Sequence, residues 1–146
     1  MVTFLFTDIE GSTRRWESDA DAMRSAVVTH EKVLRTVIEA HDGILFSHTG
    51  DGVAAAFTSP RSAVDAAIAA QQALELPVRM GIATGEAELR DGDYLGTVLN
   101  RAARVMAAGH GGQILLQAPR PESPTGLNRR PVGRSKPRVF SKRQPS

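Results

Sequence analysis

Apolar residues recur along this chain in two rhythms, one of period two and one near three and a half. The switches between them predict a series of strands and helices. Val2–Ile9 is β-branched and aromatic and predicts a strand. Ser18 or Asp19 then caps a helix to about Ala40, with Met23, Val27, Leu34 and Ile38 on one stripe. His41, Asp42 and Gly43 stop it. Residues 44–49 and 53–57 predict two strands joined by Gly50-Asp51-Gly52, a hairpin turn in which glycines supply positive φ. Ser59-Pro60 opens a second helix to about Glu75, with Val64, Ala67, Ile68 and Leu74 inward. A strand over 78–86, a turn over 91–93, a helix over 96–108 and a strand over 113–116 follow, the last two separated by a glycine-rich break at 109–112. The order β-α-β-β-α-β predicts an α+β fold, a ferredoxin-like βαββαβ sandwich with helices on one face and the first strand central. Asp8 and Asp51 would then meet at one sheet edge.

Composition changes this picture mainly at the C-terminus. At 146 residues the chain is long enough for one domain with a real core, 41% apolar but only 5% aromatic. It has no cysteine, which excludes disulfides and thiolate metal sites and fits a reducing cytoplasm. No apolar run approaches the roughly 20 residues that cross a bilayer, and no secretion signal is evident, so we expect a cytoplasmic protein without membrane contact. The net charge of +2 hides an asymmetry. Residues 1–118 hold ten Lys/Arg and fifteen Asp/Glu, whereas residues 119–146 hold eight Lys/Arg, one acid (Glu122) and six of the eight prolines. The expected organisation is a folded domain over 1–117 and a basic, Pro/Arg-rich, mostly disordered tail over 118–146. A basic tail can tether nucleic acid or an acidic surface, but composition favours a solvated tail and no nucleic-acid partner is expected.

Two carboxylates in turn-like settings carry the chemistry. Asp8 lies within the run 3–13, Thr-Phe-Leu-Phe-Thr-Asp-Ile-Glu-Gly-Ser-Thr, at the end of its apolar part, and Asp51 sits in His48-Thr49-Gly50-Asp51-Gly52-Val53. Paired acids at a sheet rim suit hard cations that also hold phosphates. On the third helix Asn100 and Arg104 are four residues apart and share a face. Such a pair could orient a ribose and neutralise a phosphate, or be an ordinary solvated pair, and spacing alone favours the second. Arg101 reads as surface, and His30, His41 and His110 as structural.

Four motifs together resemble the class III adenylate/guanylate cyclase catalytic domain, most of all the short actinobacterial, mycobacterial-type adenylate cyclases. They are Phe-Thr-Asp-Ile-Glu-Gly-Ser-Thr at 6–13, Thr-Gly-Asp-Gly at 49–52 with Ala-Ala-Phe at 55–57, Gly-Ile-Ala-Thr-Gly-Glu at 81–86, and Asp-Tyr-Leu-Gly-Thr-Val-Leu-Asn-Arg-Ala-Ala-Arg-Val at 93–105. The resemblance covers residues 1 to about 117. It implies that Asp8, Ile9 and Asp51 form a metal site for two Mg²⁺ or Mn²⁺ ions, one activating the ribose 3′-hydroxyl and the other gripping the triphosphate. It implies that the turn from Ile9 through Gly11, Ser12 and Thr13 cradles phosphates. Asn100 matches the residue that positions the ribose, Arg104 the one that stabilises charge around the α-phosphate, and Asp93 the purine-selecting aspartate. The implied enzyme converts ATP to 3′,5′-cyclic AMP and pyrophosphate as a head-to-tail homodimer, with the metal aspartates of one subunit facing the Asn, Arg and purine-reading residues of the other.

The chain departs from the family at three places. The lysine expected four residues before the second metal aspartate is Ser47, a hydroxyl without charge or reach, and His48 beside it should face the other side of the strand. The family's Gly-Ile-His-Thr-Gly reads Gly-Ile-Ala-Thr-Gly, with Ala83 as a packing change. The C-terminal part is shortened: 127–140 resembles the family's closing strands, ending in Arg138-Val139-Phe140, with a segment deleted before it. Arg134, Lys136 and Arg138 are the candidates for the terminal phosphate ligand. Ser47 and the altered C-terminus keep a second reading open, a degenerate cyclase domain that binds nucleotide or serves as a regulatory partner. A related nucleotidyl transferase such as a diguanylate cyclase is disfavoured, because its glycine-rich hairpin signature is absent.

Overall fold

The computed structural model describes residues 1–117 and 138–141. Its order is β1 (Val2–Ile9), α1 (Ser12–Ser18), α2 (Ala20–Ala40), β2 (Ile44–Thr49), β3 (Gly52–Phe57), α3 (Pro60–Ala73), β4 (Val78–Gly85), β5 (Glu88–Arg90), β6 (Asp93–Leu95), α4 (Thr97–Ala107), β7 (Gln113–Gln117) and β8 (Arg138–Ser141). Six strands form one sheet in the order β2-β3-β1-β4-β7-β8, and β5 and β6 form a separate hairpin. The first four positions are those of a ferredoxin-like sheet, with β1 central between β3 and β4. β7 adds in parallel to β4, and β8 closes the edge antiparallel to β7. The rest of the segment 118–146, including Arg134 and Lys136, lies outside the described residues.

β1 is buried on both faces because its alternate side chains serve two cores. Leu5 joins Leu34, Ile38, Ala67, Met80 and Ile82 under α2 and α3. Phe4 joins Ala56, Ala83, Val98 and Ala102 under α4. Helices α2 and α3 thus share one face, as expected, but the third predicted helix covers the opposite face. Gly81 permits that: a Cβ there would stand 2.3 Å from the Met106 backbone nitrogen and 2.7 Å from the Ala102 carbonyl. Helix backbone cannot yield as a flexible side chain can, so glycine is what lets α4 approach β4.

Several local expectations need correction. Ser12 and Thr13, expected in a turn, instead begin α1, a helix the pattern does not predict because Ser12–Ser18 buries no residue and so shows no apolar stripe. Ile68 was placed inward but is 37% exposed; α3 instead buries the small stripe Ala63, Ala66, Ala67 and Ala70 with Gln71, which lets it sit close to its neighbours. In the β2–β3 turn only Gly50 has positive φ, and Gly52 is the buried start of β3. Asp19 caps α2 by accepting from the Ala22 N–H, and Ser59 caps α3 by accepting from the Ser62 N–H.

His30 joins the α2 stripe, 5% exposed, and neither ring nitrogen has a hydrogen-bond partner among the described residues. Burial lowers its pKa from the ordinary 6.5, opposed by the charge of Asp51. The unfolded chain therefore takes up this proton first on acidification, so stability falls as pH drops below 6.5 toward the lowered folded value, then levels. We expect the urea midpoint of the wild type to fall more than that of His30→Leu between about pH 7.5 and about pH 5.5; equal falls would remove His30 from the balance.

Candidate functional site

Asp8 is the penultimate residue of β1 and pairs across the sheet with Arg79 of β4. The guanidinium holds it in a bidentate grip: Nε donates to Oδ1 at 2.7 Å, and a terminal nitrogen donates to Oδ2. The two side chains are 22% and 26% exposed, so the pair is screened by solvent only in part. Arg79 is held further into its charged form, first by the hydrogen bonds to Asp8 and then by the charges of Asp8, Glu10 and Asp51. Asp8 thus grips Arg79 directly, while Glu10 and Asp51 act on it at longer range.

Asp51 arrives from the β2–β3 turn and accepts a hydrogen bond from the Ser12 hydroxyl, 39 residues away in sequence. Ser12 begins α1, and Gly11 before it takes the left-handed conformation, φ +69°. Ile9 is the buried last residue of β1, and Thr13 lies exposed on the first turn of α1. The first N–H groups of that turn have no helical carbonyl to meet. The structure thus brings Asp8, Asp51 and the Gly11–Thr13 turn together at one rim. Among the described residues, no group of three or more His, Cys, Asp or Glu side chains is gathered to hold a metal ion. The donor set is two carboxylates plus backbone, oxygen ligands of the kind hard divalent cations take.

The other predicted residues lie on the α4 side of the sheet. Asn100 and Arg104 are exposed on α4, and neither side chain has a hydrogen bond or ion pair among the described residues. Asp93, also exposed, begins β6. Ser47 pairs with Ala54, which is in register with Phe6 on that side, whereas His48 turns to α2, its Nε2 3.7 Å from Glu31. The pairing register shifts between Leu45 and Ser47, so Phe46 is an extra residue. Its ring meets Tyr94 at 4.9 Å, and both rings meet Phe4 edge-on, at 5.8 and 5.2 Å. Ser47 and Asp93 therefore flank one aromatic cluster.

Sequence reasoning missed Arg79 and Glu10. An arginine in an otherwise apolar strand opposite Asp8 was the available signal for Arg79. Glu10 carries no such mark. Arg101 is more enclosed than a surface residue, its guanidinium lying over Gly85 with a nitrogen 3.4 Å from the Thr84 carbonyl.

No family model matches the chain. It is 35% identical over 129 residues to the uncharacterized protein Rv0891c of Mycobacterium tuberculosis, an alignment covering 86% of this chain and 45% of that one. It is 33% identical over 151 residues to an adenylate cyclase of Lachancea kluyveri, covering 80% of this chain and 8% of that one. The chain spans less than half the length of either curated relative. Among solved structures, an adenylate cyclase of Trypanosoma brucei in its monomeric state matches with a TM-score of 0.74 at 28% identity, covering 79% of this chain and 72% of that one.

The Asp8–Arg79 pair should couple measurably within one chain. In a urea-unfolding cycle of Asp8→Asn, Arg79→Met and the double variant, we expect a coupling of about 1–2 kcal/mol, between exposed and fully buried pairs. A coupling near zero would show that the two side chains do not depend on each other.

Proposed function

The chain belongs to the class III nucleotide cyclase family, and on that premise we propose that it converts ATP to 3′,5′-cyclic AMP and pyrophosphate at a head-to-tail homodimer interface. One observation carries the reading. Asp8, Asp51 and the Gly11–Thr13 turn gather at one rim, while Asn100 and Arg104 stand exposed on α4 without partners among the described residues. The first group is a cation and phosphate half, the second a ribose and transition-state half, and a second copy would complete each.

Asp8 and Asp51, with the Ile9 backbone, offer the oxygen donors that two Mg²⁺ or Mn²⁺ ions take, and Arg79 offsets the Asp8 charge in their place. Bound there, the ions would acidify the ribose 3′-hydroxyl and bind the triphosphate. Gly11 lets the backbone approach the phosphates closely, with the Ser12 and Thr13 N–H groups as donors. Asn100 of the partner subunit orients the ribose, and Arg104 of the partner subunit neutralises charge at the α-phosphate as pyrophosphate leaves. Asp93 of the partner subunit accepts from the adenine amino group, and Ser47 of the partner subunit donates to the ring. The catalytic unit is residues 1–117, with β8 returning to close the sheet edge. A cysteine-free chain suits the reducing cytoplasm. No helix among the described residues is long and apolar enough to cross a membrane.

A second reading, a nucleotide-binding or regulatory partner domain, is favoured by Ser47, whose hydroxyl brings no charge to the base. The assay that separates them is cyclic AMP formation from ATP with Mn²⁺, at a concentration where dimers are verified. We expect product from the wild type and a loss of about 100-fold or more in Asp51→Ala, which removes several kcal/mol of metal-borne stabilisation. Equal output from the two would sink the enzyme reading. Mixing Asp8→Ala with Arg104→Ala should rebuild one intact site per heterodimer, and silence in proven heterodimers would refute the shared-site geometry. Ser47→Lys should raise the ATP-to-GTP turnover ratio by about tenfold, one charge-assisted hydrogen bond's worth. An unchanged ratio would place residue 47 away from the base.

A further inference from the structure

Glu10 stands between the two residues that matter most at the rim, the Ile9 end of β1 and the left-handed Gly11, yet its carboxylate points away from both. One oxygen, Oε2, accepts from the Gly111 N–H at 2.5 Å, and the other, Oε1, lies 3.1 Å from Nδ1 of His110. Its own backbone N–H donates to the Pro77 carbonyl at 2.8 Å. Three contacts thus fasten one residue of the turn to two other segments, the loop after α4 and the start of β4.

The receiving loop is itself fixed. Gly112 donates to the Val78 carbonyl at 2.9 Å, and the His110 N–H donates to the Gln113 side chain at 2.9 Å. Gln71 of α3 reaches across to the Val78 and Gln113 carbonyls. Gly111 lies flush against the turn: a Cβ there would stand 2.5 Å from the Pro77 Cβ and 3.0 Å from Glu10 Oε2. No larger residue fits without moving the loop, so the close approach of Gly111 and the reach of Glu10 are one arrangement. The Gly111 N–H and His110 both lower the Glu10 pKa, the first more strongly.

We propose that Glu10 is a positioning residue, a strap that sets the Gly11–Thr13 turn by tying it to the loop after α4. This rests on the cyclase reading only for what the turn is used for. A carboxylate next to a phosphate-binding turn would repel its ligand if it swung inward; with both oxygens committed to the 110–111 loop, its charge stays outside the cradle. The strap also has a consequence for two shared sites. It links a chain's own metal half to the end of its own α4, the helix that serves the other site, so one side chain spans both.

The test is backbone amide exchange in the full chain, wild type against Glu10→Ala and Glu10→Gln, together with binding of Mn²⁺ and 3′-deoxy-ATP, which lacks the reacting hydroxyl. We expect the amides of Glu10, Arg15 and Gly111, which donate to the Pro77 carbonyl, the Gly11 carbonyl and the Glu10 carboxylate, to exchange about tenfold faster in Glu10→Ala, as a local opening rather than a global one. Analogue binding should weaken about tenfold, as for loss of one charge-assisted contact. Glu10→Gln keeps an acceptor for Gly111 and should fall between the two; it supplies the comparison should Glu10→Ala not fold. Unchanged exchange at Glu10 and Arg15, or acceleration spread evenly over the chain, overturns the proposal. A wild type that makes no cyclic AMP while its turn responds to Glu10 defeats the cyclase reading and leaves the strap. Cyclase activity with a turn indifferent to Glu10 defeats the strap alone.

Discussion

Antiparallel pairing of β1 with β4 is the constraint on which the rest depends. Its register sets Asp8 opposite Arg79, Phe4 opposite Ala83 and Leu5 opposite Ile82. A slip of one residue would send Phe4 to the α2–α3 face and Leu5 to the α4 face, so two buried cores of different shape both oppose it. The same slip would separate the Asp8 carboxylate from the guanidinium. Packing energy in the middle of the strand therefore fixes the charge arrangement at its end, and the site inherits the precision of the core.

The two halves of the candidate site are satisfied to very different degrees. Asp8, Asp51, Ser12, Arg79 and Glu10 are all engaged within the chain. The side chains of Asn100 and Arg104 make no hydrogen bond or ion pair among the described residues, although both lie on a helix that buries Val98, Ala102 and Val105. Ionic groups that have already found partners lose little by staying as they are until a stronger cation arrives. A solvated amide and guanidinium are at hand for a ligand at small desolvation cost. The chain's own contacts thus account for the carboxylate half and leave the amide and the guanidinium to solvent.

Legibility in the sequence followed periodicity. The strands and helices that bury a stripe were readable: β1 with its two faces, α2 through Met23, Leu34 and Ile38, and α4 through Val98, Ala102 and Val105. α1 and the β5–β6 hairpin bury almost nothing, so no pattern announces them. Val64, Ala67 and Leu74 face the core as expected, but Ile68 of α3 was misplaced, because an alanine stripe packs closer than an isoleucine and apolarity alone does not rank them. The side of the sheet that α4 covers depends on the missing side chain of Gly81, a contact between residues some twenty positions apart. For the site, two carboxylates at a rim could be read from the residues, but Asn100 and Arg104 gained meaning only from the motif resemblance. Arg79 and Glu10 act through partners 71 and 101 residues away, and no local pattern encodes such a pairing.

The Phe46 bulge is where sequence and geometry meet with the least slack. The extra residue at Phe46 turns its ring toward Tyr94 and leaves Ser47 at the edge of the same cluster that carries Asp93. Without that bulge, strict alternation would leave either Phe46 or Ser47 facing α2 instead. The bulge therefore sets where residue 47 is presented, and this chain places a short hydroxyl there. On the proposed cyclase reading a short donor changes reach and charge but not direction, so Ser47 bears on how strongly a purine is held rather than on where it lies. The aromatic walls, fixed by Phe4 in the core, would remain to stack or exclude the base whichever donor reads its edge.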